Sequence, residues 1–149
     1  MFEKLYALVK ENLGKDTLEK AQVPQKFYDA IVNEASGTII DVLKSQIEKG
    51  KHQDLWNVFM YSCVKNVQLI RSISNKYAMR LNTNYGIAID KAKDMAEDII
   101  PSIMEKFVFT YRNGLESDKQ GIFTLFNNLS GNTINYEVFL SKTTPSFSA

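Results

Sequence analysis

The sequence predicts an all-α protein, a compact multihelical single domain of six to seven helices. Apolar residues recur at helical spacing from residue 27 to residue 108, and the main interruptions are Gly50, Asn66, Gly86 and Pro101. The length of 149 residues suits one domain, and an apolar fraction of 44% is ordinary for a globular chain. A chain of this size buries about 70% of its unfolded surface, so it needs no disulfide or metal to fold.

The first helix is predicted over residues 2–13, because its apolar side chains form one stripe. These side chains are Phe2, Leu5, Tyr6, Leu8, Val9 and Leu13. Gly14 suits the end of this helix. Residues 15–23 are polar, and we expect a loop there. Pro24 suits the first turn of the next helix, where its missing N–H removes no hydrogen bond.

The second and longest helix is predicted over residues 25–49. Its apolar face is wide, which indicates a central helix packed on several neighbours. Gly37 lies inside it, where a glycine costs about 1 kcal/mol relative to alanine. We therefore expect another helix to approach closely at Gly37, and we expect Gly50 to end the helix.

Two further helices follow. Gln53 or Asp54 opens a third helix through Phe59, and Asn66 can cap a fourth. The buried stripe of the fourth helix consists of Ile70, Ile73, Tyr77 and Leu81. Residues 82–86 are predicted to terminate it, since Asn tolerates the left-handed conformation and Gly prefers it.

A fifth helix is predicted over residues 88–98. Pro101 disfavours helical geometry at the residue before it, so we expect a kink or a restart and then a sixth helix through Val108. Residues 112–117 read as a loop, and residues 118–129 as a seventh helix. The domain is expected to span residues 1–142, followed by a flexible tail at 143–149.

The net charge of +1 argues against a strongly basic nucleic-acid binder and against an acidic disordered chain. Cys63 is the single cysteine, so no internal disulfide forms, which is typical of a reducing compartment. The sequence contains no run of about 18 apolar residues, which a membrane-spanning helix would need. Charged residues interrupt the N-terminal stretch too finely for a signal-peptide core. We expect a cytoplasmic protein, and no motif implies a cofactor or a metal.

Several short segments occur in an order that suggests a family. They are Asn33–Ser36, Tyr77–Leu81, Tyr85–Ile87, Ile99–Met104, Gln120–Phe123 and Leu129–Gly131. In this order the chain resembles the YidB-like family of bacterial helical proteins, a domain of unknown function, in its Bacteroidetes form. The resemblance implies a compact multihelical fold in a bacterial cytoplasm, and it implies no activity or catalytic residue.

Two residues are candidates for catalysis. His52 could act as a general base oriented by Asp54, but a spacing of two residues at a helix start favours a solvated loop histidine. Cys63 could be a nucleophile if Lys65 or a helix N-terminus lowered its pKa. A free cysteine is more often a small buried hydrophobe.

A group of acidic residues lies on the predicted fifth helix. Asp90, Asp94 and Glu97 share a face, and Asp98 is adjacent. Paired carboxylates can bind Mg²⁺ or share a proton. The lysines between them favour a solvated face, and no histidine stands at the Glu-x-x-His spacing of a di-iron site.

A basic window lies between Asp54 and Asp90, where no acidic residue occurs. Its cations are Lys65, Arg71, Lys76 and Arg80. They could bind phosphate or an acidic partner. The favoured alternative is that this helix pairs internally with the acidic helix after Gly86. That helix would also repel DNA phosphates, which argues against a helix-turn-helix.

Some aromatic residues fall off the inward stripes, notably Tyr28, Phe109 and Tyr111. Exposed aromatics often anchor interfaces. The first hypothesis is therefore a non-enzymatic protein that associates with itself or with another protein. The second is a weak nucleic-acid or polyanion binder using the window 65–80. The third, less favoured, is an enzyme using His52 or Cys63.

Overall fold

A computed structural model describes residues 2–61, 67–112 and 127–130. Within these ranges it contains six α-helices and one 3₁₀ helix and no β-strand, so the all-α prediction is confirmed. The elements are α1 (Phe2–Asn12), α2 (Lys15–Lys20), a 3₁₀ helix (Gln25–Phe27), α3 (Tyr28–Glu48), α4 (His52–Tyr61), α5 (Val67–Tyr85) and α6 (Ile89–Arg112). Residues 127–129 are also helical, whereas the rest of the expected seventh helix and the tail lie outside the described residues.

The long helices α3, α5 and α6 form the framework. Helices α5 and α6 are joined by a short turn and share the largest helix–helix interface. Helix α3 packs on α5 and on α1, and α1 also contacts α6. Helix α4 packs against α6 and α3. In the described ranges, no helix is long and apolar enough to cross a membrane.

The core centres on large side chains from α4, α5 and α6. Tyr77, Phe59 and Phe107 are fully buried. The rings of Phe59 and Phe107 meet edge to face, with centroids 5.9 Å apart and planes at 78°. The hydroxyl of Tyr77 donates to the carbonyl of Ile31 over 3.1 Å, which satisfies a polar group that would otherwise be costly to bury. Desolvation by burial raises the pKa of Tyr77 far above its ordinary value, and the charge of Glu34 adds to the shift.

The prediction of a loop over residues 15–23 is wrong for residues 15–20, which form α2. The helix ends in a Schellman motif: Gln22 N–H donates to Glu19 C=O (2.9 Å) and Val23 N–H donates to Leu18 C=O (3.0 Å). Leu18 and Val23 are both buried. Burial of these two apolar side chains stabilises a short helix that the polar local sequence does not predict.

Helices α3 and α5 end at glycines with positive φ, as the sequence predicts. Gly50 has φ +77° and Gly86 has φ +68°. Helix α5 nevertheless continues through residues 82–85, where a terminator was expected. Gly86 alone takes the left-handed conformation, and the Asn82 side chain donates to the carbonyl of Ile87 over 2.8 Å. Asn82 and Asn84 therefore belong to the last turn of α5, and the helix ends only before Gly86.

Helix α6 runs unbroken through Pro101, so the expected division into a fifth and a sixth helix is wrong. Proline removes one backbone hydrogen bond from a helix. Ile99, Ile100, Ile103 and Met104, on both sides of the proline, are all buried. We infer that packing of this continuous apolar face outweighs the lost hydrogen bond.

The prediction that another helix approaches closely at Gly37 is also wrong. A Cβ atom built at this position meets no atom within 4 Å outside the local helix. Gly37 is half-buried, whereas its neighbours Ser36 and Thr38 are fully buried. The glycine therefore weakens α3 without permitting any contact.

The substitution Gly37→Ala should stabilise the protein by about 1 kcal/mol, because alanine is the better helix former and its methyl group meets open space. For a chain of this size the melting temperature should rise by about 2–4 °C. Gly50→Ala is the matched control and should destabilise, since L-residues are disfavoured at φ +77°. Thermal unfolding followed by circular dichroism measures both, and a lower melting temperature for Gly37→Ala would contradict the packing described here.

Candidate functional site

Most of the catalytic candidates lie outside what the structure describes. His52 is the first residue of α4, and the structure does not describe its side chain. Asp54 is exposed and lines a polar groove of about 280 Å³ with Lys49 and Lys51. Cys63 and Lys65 lie outside the described residues. The enzyme hypothesis therefore gains no geometric support.

The acidic residues of α6 lie along a second groove, of about 520 Å³, between α6 and α2. Asp90, Asp94 and Asp98 are exposed, and Lys20 and Lys91 line the same groove. In the part of the chain that the structure describes, no group of three or more His, Cys, Asp or Glu residues could hold a metal ion. The carboxylates are solvated and interspersed with lysines.

The basic window is divided by the fold. Arg71 and Lys76 are exposed on α5, whereas Lys65 is among the residues not described. Arg80 is engaged with α3: Nη2 donates to Asp41 Oδ2 over 2.8 Å, and Nη1 donates to Thr38 Oγ1 over 3.1 Å. Internal pairing was expected with the acidic helix after Gly86. Arg80 pairs instead with Thr38 and Asp41 of α3.

Arg80 belongs to a larger set that we name the α3–α5 polar cluster: Glu34, Thr38, Asp41, Arg80 and Asn84. Arg80 Nη1 lies 3.8 Å from Glu34 Oε2, and Asn84 Nδ2 donates to Glu34 Oε1 over 2.9 Å. The Thr38 hydroxyl donates to the Glu34 carbonyl over 2.7 Å. These contacts join α3 to α5 along their shared edge, so the cluster is structural.

The aromatic interface candidates have different environments. Tyr28 is half-buried and packs against the core. Tyr111 lies in α6, but its side chain is not described. Phe109 is 58% exposed. The structure adds two exposed apolar side chains: Met79, which the sequence pattern does not single out, and Ile89, which the helical pattern wrongly predicts to face inward with Ala92.

Phe109 lies in a groove of about 430 Å³ between α1 and α6. We name it the α1–α6 groove, and its lining residues are Leu8, Ser102, Glu105, Lys106, Phe109 and Thr110. Leu8 is half-buried, Glu105 and Lys106 are exposed, and the Phe109 ring is the largest apolar group among the described residues that line the groove. The arrangement is an apolar strip with a charged rim.

Asn12 holds the two walls of the α1–α6 groove together. Its Oδ1 accepts from Ser102 Oγ over 3.1 Å and from Lys106 Nζ over 2.9 Å. Its Nδ2 donates to the carbonyl of Leu8 over 2.7 Å. The last turn of α1 is thereby attached to α6, so the groove exists before any partner arrives. Sequence reasoning could find Phe109 from its position off the stripe, but it could not find Asn12, whose role depends on residues about ninety positions away.

The division of the basic window can be tested by comparing two neighbouring cations. Arg80→Ala should destabilise by about 1 kcal/mol, because partly exposed ion pairs and charge-assisted hydrogen bonds between α3 and α5 are lost. Lys76→Ala, one turn earlier and exposed, should change stability by less than about 0.5 kcal/mol. Urea unfolding measures both changes in the free energy of unfolding. Equal changes would show that the contacts of Arg80 with α3 add no stability.

No protein-family model, no curated protein and no solved structure matches this chain. The resemblance to the YidB-like family therefore stays a prediction, and function must be inferred from the surface of the fold.

Proposed function

We propose that this chain is a non-enzymatic interaction module and that its contact surface is the α1–α6 groove around Phe109. The observation that carries the proposal is a large aromatic side chain, 58% exposed, on a helix whose other described large apolar side chains are buried, apart from Ile89 at its first position. Its neighbour Val108 and the preceding Phe107 are fully buried. Phe109 contributes little burial to the fold, and contact with a partner would remove its exposed apolar area from water.

The surroundings of Phe109 favour binding. Leu8 extends the apolar surface across the groove, and Glu105 and Lys106 form a charged edge. An apolar centre with a polar rim is the usual anatomy of a protein interface. Because Asn12 already fixes the walls, a partner would not have to order them, which lowers the entropic cost of association.

Met79 provides a useful comparison, since it is even more exposed, at 64%. The residues one turn before and after it, Asn75, Lys76, Asn82 and Thr83, are exposed and polar. A single exposed apolar side chain among polar neighbours is normal on a protein surface. Met79 therefore serves as a control for Phe109.

The setting we propose is a reducing bacterial cytoplasm. The single Cys63 supports the reducing compartment, and the YidB-like resemblance supports the bacterial source. Polyanion binding through the window 65–80 ranks behind protein association. With Arg80 engaged by α3, the exposed cations described in that window are Arg71 and Lys76, and nucleic-acid binders generally neutralise several phosphates.

The test compares three tagged proteins: wild type, Phe109→Ser and the control Met79→Ser. Each is used to capture partners from a lysate of the encoding organism at low salt, with nuclease-treated and untreated halves, and its own mass is measured by light scattering after size exclusion. We expect wild type and Met79→Ser to associate with themselves or with a stoichiometric partner, and Phe109→Ser to lose that association.

Circular dichroism melts verify that all three proteins are folded. Identical association of the three proteins, or its complete absence, would refute the role of the groove. Capture that disappears after nuclease treatment would favour the basic window instead, with Arg71 and Lys76 as the residues to change.

A further inference from the structure

The outward stripe of the second half of α6 has an ordered sequence of chemical groups. Glu105 and Lys106 are adjacent and exposed at its centre. Phe109 follows one turn later, and Ser102, half-buried, lies about one turn earlier. Ser102, Glu105, Lys106 and Phe109 all line the α1–α6 groove. The stripe therefore has an acid and a base at its midpoint and an aromatic ring at one end.

This order is self-complementary in one orientation. If two copies of α6 lie antiparallel about a two-fold axis between residues 105 and 106, Glu105 of each copy faces Lys106 of the other. The same axis places Phe109 of each copy opposite Ser102 of the other. A two-fold contact repeats every interaction, so both charge pairs and both rings are used.

Resting on the proposed function, we infer that the occupant of the α1–α6 groove is a second copy of this chain, docked with the two α6 helices antiparallel. Charge complementarity selects this orientation. A parallel two-fold pairing would set Glu105 against Glu105 and Lys106 against Lys106, and like charges at an interface are unfavourable. The antiparallel arrangement replaces both repulsions with attractions.

The contacts within one chain are compatible with this docking. Lys106 Nζ already donates one hydrogen bond to Asn12 Oδ1, and an ammonium group has three donors, so others remain for a carboxylate. The Asn12 contact also holds the long lysine side chain at the rim. This restraint reduces the side-chain entropy that an exposed ion pair ordinarily loses.

The apolar part of the contact is reciprocal as well. Phe109 of one copy packs against the α1–α6 groove of the other, whose lining includes Leu8 and Ser102. Aromatic side chains that enter a partner's pocket dominate the energetics of many interfaces. The rings therefore supply most of the affinity, whereas the Glu105–Lys106 pairs set the orientation.

The experiment is a charge-swap series with Glu105→Lys, Lys106→Glu and the double variant carrying both changes. Sedimentation equilibrium at low salt measures the dimer dissociation constant. Each single variant should weaken the dimer by about tenfold, because two attractive pairs become repulsive. The double variant should restore most of the affinity, since every base again faces an acid and the Ser102–Asn12 hydrogen bond still joins the groove walls. Phe109→Ser should weaken it by about a hundredfold.

Lys93→Glu is the matched control, because Lys93 is exposed on α6 outside the groove, and it should leave the dimer unchanged. A wild-type protein that stays monomeric at every soluble concentration overturns the inference, as does a dimer without rescue in the double variant. If Phe109→Ser still abolishes capture of a different protein, the proposed function survives and only the second copy is refuted. If no association depends on Phe109, both fail.

Discussion

The hydrogen bond between the Tyr77 hydroxyl and the Ile31 carbonyl marks the contact on which the rest of the fold depends, the packing of α5 on α3. The phenol is fully buried, and its oxygen finds a backbone partner on the neighbouring helix. A buried hydroxyl without a partner would cost several times what the bond contributes, so this contact fixes both the rotation and the height of α5 on α3. Arg80 adds a charged contact between the same two helices, α5 and α3.

The position of α5 then determines that of α6, and α6 carries the candidate site. The turn at Gly86 returns the chain along α5, and Phe107 meets Phe59 of α4 edge to face. Because one face of α6 is occupied by this core, the opposite face is directed to solvent. Phe109 belongs to that second face, and its exposure is therefore imposed by the packing of its neighbours.

The contrast between Arg80 and Phe109 separates structure from function on this surface. Arg80 is a partly exposed charged residue that donates to acceptors on α3. Phe109 is an aromatic residue that the fold leaves outside. The charge of Arg80 is compensated by these partners, whereas Phe109 is at odds with the usual preference of an aromatic residue for burial. This difference is why association through the α1–α6 groove is better supported than polyanion binding through the basic window.

Local chemistry in the sequence determined the helical class, the extent of α1 and the helix ends at Gly50 and Gly86, because periodicity and left-handed glycines act within a few residues. It did not determine the start of α3, since the predicted first turn at residues 25–27 is a 3₁₀ helix and α3 begins at Tyr28. It also indicated Phe109 as an aromatic off the inward stripe. Tertiary structure decided the continuity of α6 through Pro101, the formation of α2, the partner of Arg80 and the groove that Asn12 closes. These features depend on burial and on contacts between residues far apart in the chain, and no local pattern encodes which distant acceptor a side chain will meet.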